Sequence, residues 1–193
     1  MTRPFKIAVA GTHSTGKSTF VDKLQAALRH AEFTAVGVHD SAADALALGF
    51  PILADHTFES TAWLMSQAIR CEAEASLDAQ VIVIDRPVPD ALGYLWAALR
   101  HQKRALEPRR LERLQDICRT WVGEYDLIFV TVLDPRVPIG AGRPDDEAFR
   151  RLAGECVAEV FAQMAPHAIP LHHGETDQAV ATCMAAVQRY AAG

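Results

Sequence analysis

Not one asparagine occurs in this 193-residue chain, so no Asn-Lys-x-Asp base-reading motif is present. The four cysteines, Cys71, Cys118, Cys156 and Cys183, are far apart and form no Cys-x-x-Cys pair. That spacing argues against a metal knot or a disulfide framework, and for small apolar side chains in a reducing compartment. No apolar stretch approaches the ~20 residues of a membrane-spanning helix. The short run behind Arg3 and Lys6 is too brief for a signal peptide and leads straight into a loop. A net charge of −5 lacks the basic surplus of a nucleic-acid coat protein. No repeat, low-complexity tract or linker divides the sequence. With 50% hydrophobic and 22% charged residues, residues 1–193 are expected to fold as a single domain with a sizeable core. The expected location is the cytoplasm, with neither membrane nor nucleic acid as a partner.

What is present is concentrated between Gly11 and Thr19, which read Gly-Thr-His-Ser-Thr-Gly-Lys-Ser-Thr. Every fixed position of the phosphate-loop pattern G-x-x-x-x-G-K-[ST] is filled. Phe5 to Ala10 form an apolar run suited to a buried strand, and Phe20, Leu24, Ala27 and Leu28 follow at helical spacing. Gly11 and Gly16 permit backbone angles that turn consecutive N–H groups inward, so Gly11, Thr12, His13, Ser14, Thr15, Gly16, Lys17, Ser18 and Thr19 are the expected phosphate cradle. The helix start adds the positive end of its dipole. Lys17 is placed to bridge the β- and γ-phosphates of ATP, and the Ser18 hydroxyl to ligate Mg2+.

Further along, Phe33–Val38 reads as a second strand ending at Asp40 and Ser41. Asp40 has two readings: a carboxylate on the ligand side of an α/β sheet, or a cap for a short helix from Ala42 to Leu48. A long helix from about Thr57 to Asp78, with Asp55 as its expected cap, aligns Trp63, Gln67 and Arg70 on one side; these either line a pocket or divide between core and rim. Val81-Ile82-Val83-Ile84-Asp85 has the form of a buried parallel strand ending in a Walker B carboxylate. Asp85 is the expected partner of Ser18 at magnesium. Arg86 steers phosphate or pairs with Asp85 or Asp90. The basic segment from His101 to Arg113 reads as a solvated face. A fourth strand runs from Tyr125 to Val132. Residues 134–147, with Arg136 and Arg143 among several prolines and glycines, have the character of an arginine-bearing lid. A long helix with Phe149, Leu152, Cys156, Val157, Val160 and Phe161 on one face follows, then a short strand at Ala168–Leu171 and a closing helix. His172 and His173 are adjacent and fit no metal spacing.

Strands alternating with helices behind a phosphate loop imply an α/β fold: a three-layer α/β/α sandwich around a five-stranded parallel sheet. With Asp85-Arg86 after the third strand and arginines after the fourth, the chain resembles the P-loop nucleoside and nucleotide kinases, closest in layout to small AAA-type ATPases similar to nicotinamide riboside kinase domains. The resemblance implies strand order 2-3-1-4-5, with Asp40 near an acceptor hydroxyl and Arg86 as the arginine of an Asp-Arg pair. Deoxynucleoside kinases are similar around Asp85-Arg86-Pro87 and place a base-reading glutamine near Gln67. The related lid often reads Asp-Gly-x-Arg, whereas Ile139-Gly140-Ala141-Gly142 precede Arg143 here.

Two functions are compatible with this pattern. The first is Mg2+-dependent transfer of the ATP γ-phosphoryl group to a small acceptor, a nucleoside or nucleoside-like metabolite. Lys17, Asp40, Asp85, Arg86, Arg136 and Arg143 are then the catalytic candidates, with Asp40 or Asp85 accepting the proton. The second is a nucleotide-dependent switch acting on a protein partner. Acceptor identity, base preference and oligomeric state, with a homodimer open, are not set by the sequence.

Overall fold

The computed structural model describes residues 3–134, 136 and 146–193. Strands β1 (Phe5–Ala10), β2 (Ala35–Val38), β3 (Val81–Asp85), β4 (Leu127–Thr131) and β5 (Ile169–Leu171) form one parallel sheet in the order β2-β3-β1-β4-β5. Helices α1 (Lys17–His30), α2 (Ala42–Ala47), α3 (Phe58–Ala75), α4 (Val88–His101), α5 (Pro108–Val122), α6 (Glu147–Met164) and α7 (Thr176–Ala192) connect or flank the strands.

The sheet is covered on both faces, so β1 is buried at all six positions rather than at alternate ones. Side chains nevertheless divide by parity. Ile7, Val9, Val81, Val83 and Phe129 pack with Phe20 and Leu24 of α1 and Cys183 and Val187 of α7. Ala8, Ala10, Ile82, Ile84 and Ile128 pack with Tyr94 and Ala97 of α4 and Val157 and Phe161 of α6. A third cluster ties α3, α4 and α5 together through Met65, Leu92, Leu95, Leu114 and Cys118. Phe20 and Phe129 meet edge to face at 5.2 Å, worth roughly 1 kcal/mol beyond the area they bury.

Several element boundaries differ from the sequence expectation, each for a local reason. Strand β2 begins at Ala35 because Phe33 still closes the helix end, its N–H donating to Leu28 O at 3.0 Å. The α3 cap is Thr57, not Asp55: Thr57 Oγ1 accepts from Ser60 N at 3.3 Å while Ser60 Oγ accepts from Thr57 N at 2.9 Å, a reciprocal capping box. Asp55 sits in a short 3-10 turn, Leu53–Asp55, and accepts from Gln102 Nε2 at 2.5 Å. Tyr125 lies before β4 and points its hydroxyl at Glu72 Oε1, 2.9 Å away. Glu72 is fully buried, and its other oxygen accepts from Lys6 Nζ at 3.2 Å and Trp121 Nε1 at 2.9 Å. Burial raises the Glu72 pKa, and these donors oppose the shift. Cys118, Cys156 and Cys183 are buried apolar residues and Cys71 is half-buried; none of the four is in a disulfide.

Candidate functional site

The loop between β1 and α1 is where the sheet presents its backbone, at the C-terminal ends of parallel strands. Gly11 (φ +131°) and Gly16 (φ +89°) supply the two left-handed-side turns that shape it. At Gly11 space is also decisive, since a methyl group there would come within 2.0 Å of Thr131 Oγ1. Helix α1 starts at Lys17 with no side-chain cap and no acidic residue in its first turn. Its first amides are therefore left for an anion.

Four side chains from outside the loop hold it. Asp90 of α4, 1% exposed, accepts from Gly11 N at 2.8 Å. Arg86 Nη1 donates to Gly11 O at 3.3 Å. Thr131, at the end of β4, shares a 2.7 Å hydroxyl contact with Thr15 and donates to Ala10 O at 3.1 Å. Arg150 of α6, also 1% exposed, donates to His13 O at 3.3 Å and Ser14 O at 2.9 Å, and pairs with Glu147 at 3.2 Å. Lys17 is itself buried and donates to Thr12 O at 2.5 Å. Burial first, and the nearby Arg86 charge second, lower its pKa to about 8.

Arg86 joins this loop to its surroundings. Its Nε donates to Asp40 Oδ2 at 2.6 Å and its Nη1 to Asp90 Oδ2 at 2.7 Å, while its guanidinium lies 4.8 Å from the Tyr94 ring centroid. Burial alone would lower its pKa, but Tyr94, Asp40, Asp90 and Asp85 hold it well above the ordinary value. Of the two pairings expected from the sequence, Asp85 or Asp90, the structure has Asp90, and Asp40 is an additional partner. A backbone φ of +68° at Arg86 is strained for a residue with a Cβ, and its three polar contacts fix the side chain in this position.

Both oxygens of Asp40 are engaged. Oδ1 accepts from Ala42 N at 2.8 Å, at the start of α2, and Oδ2 holds Arg86. Asp85 is different. Its Oδ1 is buried and has no hydrogen-bond partner among the described residues, and burial raises its pKa against the pull of Lys17 and Arg86. An orphaned buried carboxylate oxygen beside a phosphate loop suits a hard cation. Ser18, exposed at the first turn of α1, offers a hydroxyl. No cluster of three or more His, Cys, Asp or Glu side chains arranged to hold a metal occurs among the described residues. A cation at Ser18 and Asp85 would therefore draw its remaining oxygen ligands from phosphates and water.

Arg136 is not gathered into this site. It is 87% exposed at the side chain and forks onto Asp134, with Nη2 to Oδ2 at 2.8 Å and Nε to Oδ1 at 3.0 Å. Arg143, and with it most of the expected lid, lies outside the described residues.

Next to the loop is a cavity of about 340 Å3 whose lining includes His13, His39, Asp40, Leu53, His56, Met65, Arg86, Asp90 and Tyr94. The α3 residues on its wall are Leu64, Met65 and Ala68. Trp63, Gln67 and Arg70, aligned in the sequence as a pocket candidate, are absent from that lining. Trp63 packs on Phe50 at 5.4 Å, Gln67 accepts from Arg70 Nε at 3.1 Å, and Arg70 forks onto Glu74 at 2.8 Å. Asp90, Thr131, Arg150 and His56 were not singled out for this site by sequence patterns. Asp90 could be read from the sequence only as a partner of Arg86, and Arg150 as a cation on the apolar face that carries Phe149, Ala153 and Val157.

A parallel sheet in this strand order with a phosphate loop after β1 defines a P-loop NTPase of the kinase-like type. The chain belongs to the AAA domain family, whose model matches residues 6–178. No curated protein matches the sequence. Among solved structures, the fold is similar to a NadR protein in complex with NR, with a TM-score of 0.64 and 16% identity over 89% of this chain. The matched region is 46% of that chain, so this protein spans about half the length of NadR. Deoxyadenosine kinase from M. mycoides with bound dATP is similar over 95% of this chain and 100% of its own, with a TM-score of 0.64 and 14% identity. Thymidylate kinase from Candida albicans is similar over 97% of this chain and 92% of its own, with a TM-score of 0.62 and 14% identity. No helix among the described residues is long and apolar enough to cross a membrane.

Proposed function

We propose that this protein binds ATP with Mg2+ and transfers the γ-phosphoryl group to a small-molecule acceptor of nucleoside-like size. The observation that carries this reading is the cavity beside the phosphate loop, into which both Asp40 and Arg86 contribute. A small protein that only switched with nucleotide would have no need of a second, ligand-sized space at that place.

The loop amides, Lys17 and the dipole of α1 hold the donor phosphates. Ser18 and Asp85 would hold Mg2+, which when bound would supply neutralisation of the phosphate charge. Asp40 lines the cavity and Asp85 does not, so Asp40 is the residue that orients the acceptor hydroxyl and takes its proton. Arg86 keeps Asp40 in place from one side and the loop from the other. Arg143 is kept as the candidate lid cation on sequence grounds. Deoxyadenosine kinase and thymidylate kinase share the fold, and a soluble phosphotransferase in the cytoplasm is the setting this reading implies.

The test is ADP release from Mg-ATP against a panel of nucleosides, nucleotides, pyridine ribosides and sugars. One acceptor class is expected to raise turnover. Asp40→Asn is expected to lower kcat by roughly 100-fold, the scale of general-base loss, with the KM for ATP little changed. ATP binding with no acceptor-stimulated turnover would instead favour the protein-partner switch.

A further inference from the structure

The cavity has a charge pattern that selects between two kinds of acceptor. Arg86 is the only lysine or arginine among its described lining residues, against two carboxylates, Asp40 and Asp90. Two of that guanidinium's three nitrogens are already engaged, Nε by Asp40 and Nη1 by Asp90 and Gly11 O, and the side chain is 15% exposed. Among the described lining residues, a phosphate monoester entering here would meet only the remaining Nη2 group of one guanidinium, whose charge two carboxylates already share. The rest of the wall is largely apolar, with Leu46, Ile52, Leu53, Leu64, Met65 and Val88. At about 340 Å3 the space is near the lower limit for small-molecule sites.

Besides the two carboxylates, the wall holds a neutral hydrogen-bond acceptor, His56. His56 is 4% exposed, and its Nδ1 lies 2.9 Å from Leu53 O. A carbonyl only accepts, so Nδ1 carries the proton. Burial lowers the His56 pKa to about 4, so the ring is neutral near pH 7. Nε2 is then an acceptor, with no hydrogen bond to it among the described residues. The ring is also held in place, 5.7 Å from the Tyr94 ring centroid, and the backbone oxygen of His56 accepts from Arg104 Nη2 at 2.9 Å.

Resting on the phosphoryl-transfer reading above, we propose that the acceptor is unphosphorylated, neutral or cationic, and carries an N–H or O–H group that donates to His56 Nε2, making His56 a specificity-determining residue. A nucleoside or pyridinium riboside meets these terms, and a nucleoside monophosphate does not. A buried acceptor rejects a ligand that cannot donate to it because the ring nitrogen is left desolvated and unpaired.

The experiment compares ADP release from Mg-ATP with a set of nucleosides and pyridinium ribosides, their 5′-monophosphates, and base analogues in which single donor groups are removed. Wild-type kcat/KM is expected to be at least ~100-fold higher for the unphosphorylated member of each pair, the scale of an unpaired charge in a closed site. His56→Ala is expected to raise the KM of the best acceptor at least ~10-fold with the KM for ATP unchanged, and to lose discrimination against the analogue lacking the donor. His56→Gln, which keeps an acceptor atom, is expected to recover part of that loss and guards against a variant that fails to fold. Preference for the monophosphates, or an acceptor KM unmoved in both variants, overturns the proposal while phosphoryl transfer stands. Turnover with neither class overturns both.

Discussion

Around the phosphate loop the ligand-binding groups are mostly backbone, and the side chains Asp90, Arg86, Thr131 and Arg150 hold that backbone in shape. The neighbouring cavity has a few polar side chains, Asp40, His56 and Arg86 among them, set in a largely apolar wall. The loop's function follows from a geometry that any sequence must reach with glycines at fixed places. The cavity's character depends on which residues five separate segments bring together. Arg86 touches both regions, through Gly11 on one side and Asp40 on the other.

The largest effect is therefore expected at the shared residue. Arg86→Met leaves the buried Asp90 carboxylate without its cation, and removal of one partner from a buried pair costs roughly 3–5 kcal/mol. Thermal unfolding should show a clear loss of stability, together with higher KM values for ATP and acceptor alike. An effect confined to one substrate would separate the two regions.

Lys17→Ala should reduce phosphoryl transfer by at least ~100-fold, the scale for a lost charge-stabilising donor, with the fold retained by circular dichroism. The same lysine gives the loop a pH dependence. Its pKa in the free protein is lowered to about 8, and bound phosphates favour the charged form. ATP affinity is therefore expected to be level below pH 8 and to fall above it, by up to ~10-fold per pH unit. Calorimetric titration across that range checks the sign: affinity rising with pH would show that the lysine does not bind phosphate as a cation.

Arg150→Met should weaken ATP binding by roughly 10-fold, because two loop carbonyls lose a buried donor, and should leave the acceptor KM nearly unmoved. That contrast sharpens the division between loop and cavity. The smallest effect is expected at Arg136, which forms an exposed ion pair with Asp134. Such pairs contribute little, and Arg136→Ala should change turnover by less than about twofold.

The two regions also differ in how far the sequence discloses them. The loop was legible residue by residue from Gly11 to Thr19, because its chemistry forces residue type and spacing together. The sheet was legible too, since β1, β3 and β4 are apolar runs too short for helices, and the strand order came with the family resemblance. Asp85 and Arg86 stand where the third strand's end predicted them. Residues that act from a distance in sequence were less visible. Asp90 was readable only as a charge four positions from Arg86, and its bond to Gly11 N depends on how α4 packs under the loop. Trp63, Gln67 and Arg70 align on α3 as a pocket face would, but the helix is rotated so that Leu64, Met65 and Ala68 meet the cavity instead. Helical periodicity gives which residues share a face, and tertiary packing decides which face is used. His56 had no pattern at all, because its role comes from burial and one bond to Leu53 O.

The most direct test of the central claim is detection of the phosphorylated acceptor itself. Phosphorus NMR of the wild-type protein with Mg-ATP and the best acceptor from the panel should show a new phosphomonoester resonance growing in step with ADP, absent with Lys17→Ala. Release of ADP with inorganic phosphate alone, whatever acceptor is present, would contradict phosphoryl transfer and identify the protein as a nucleotide hydrolase.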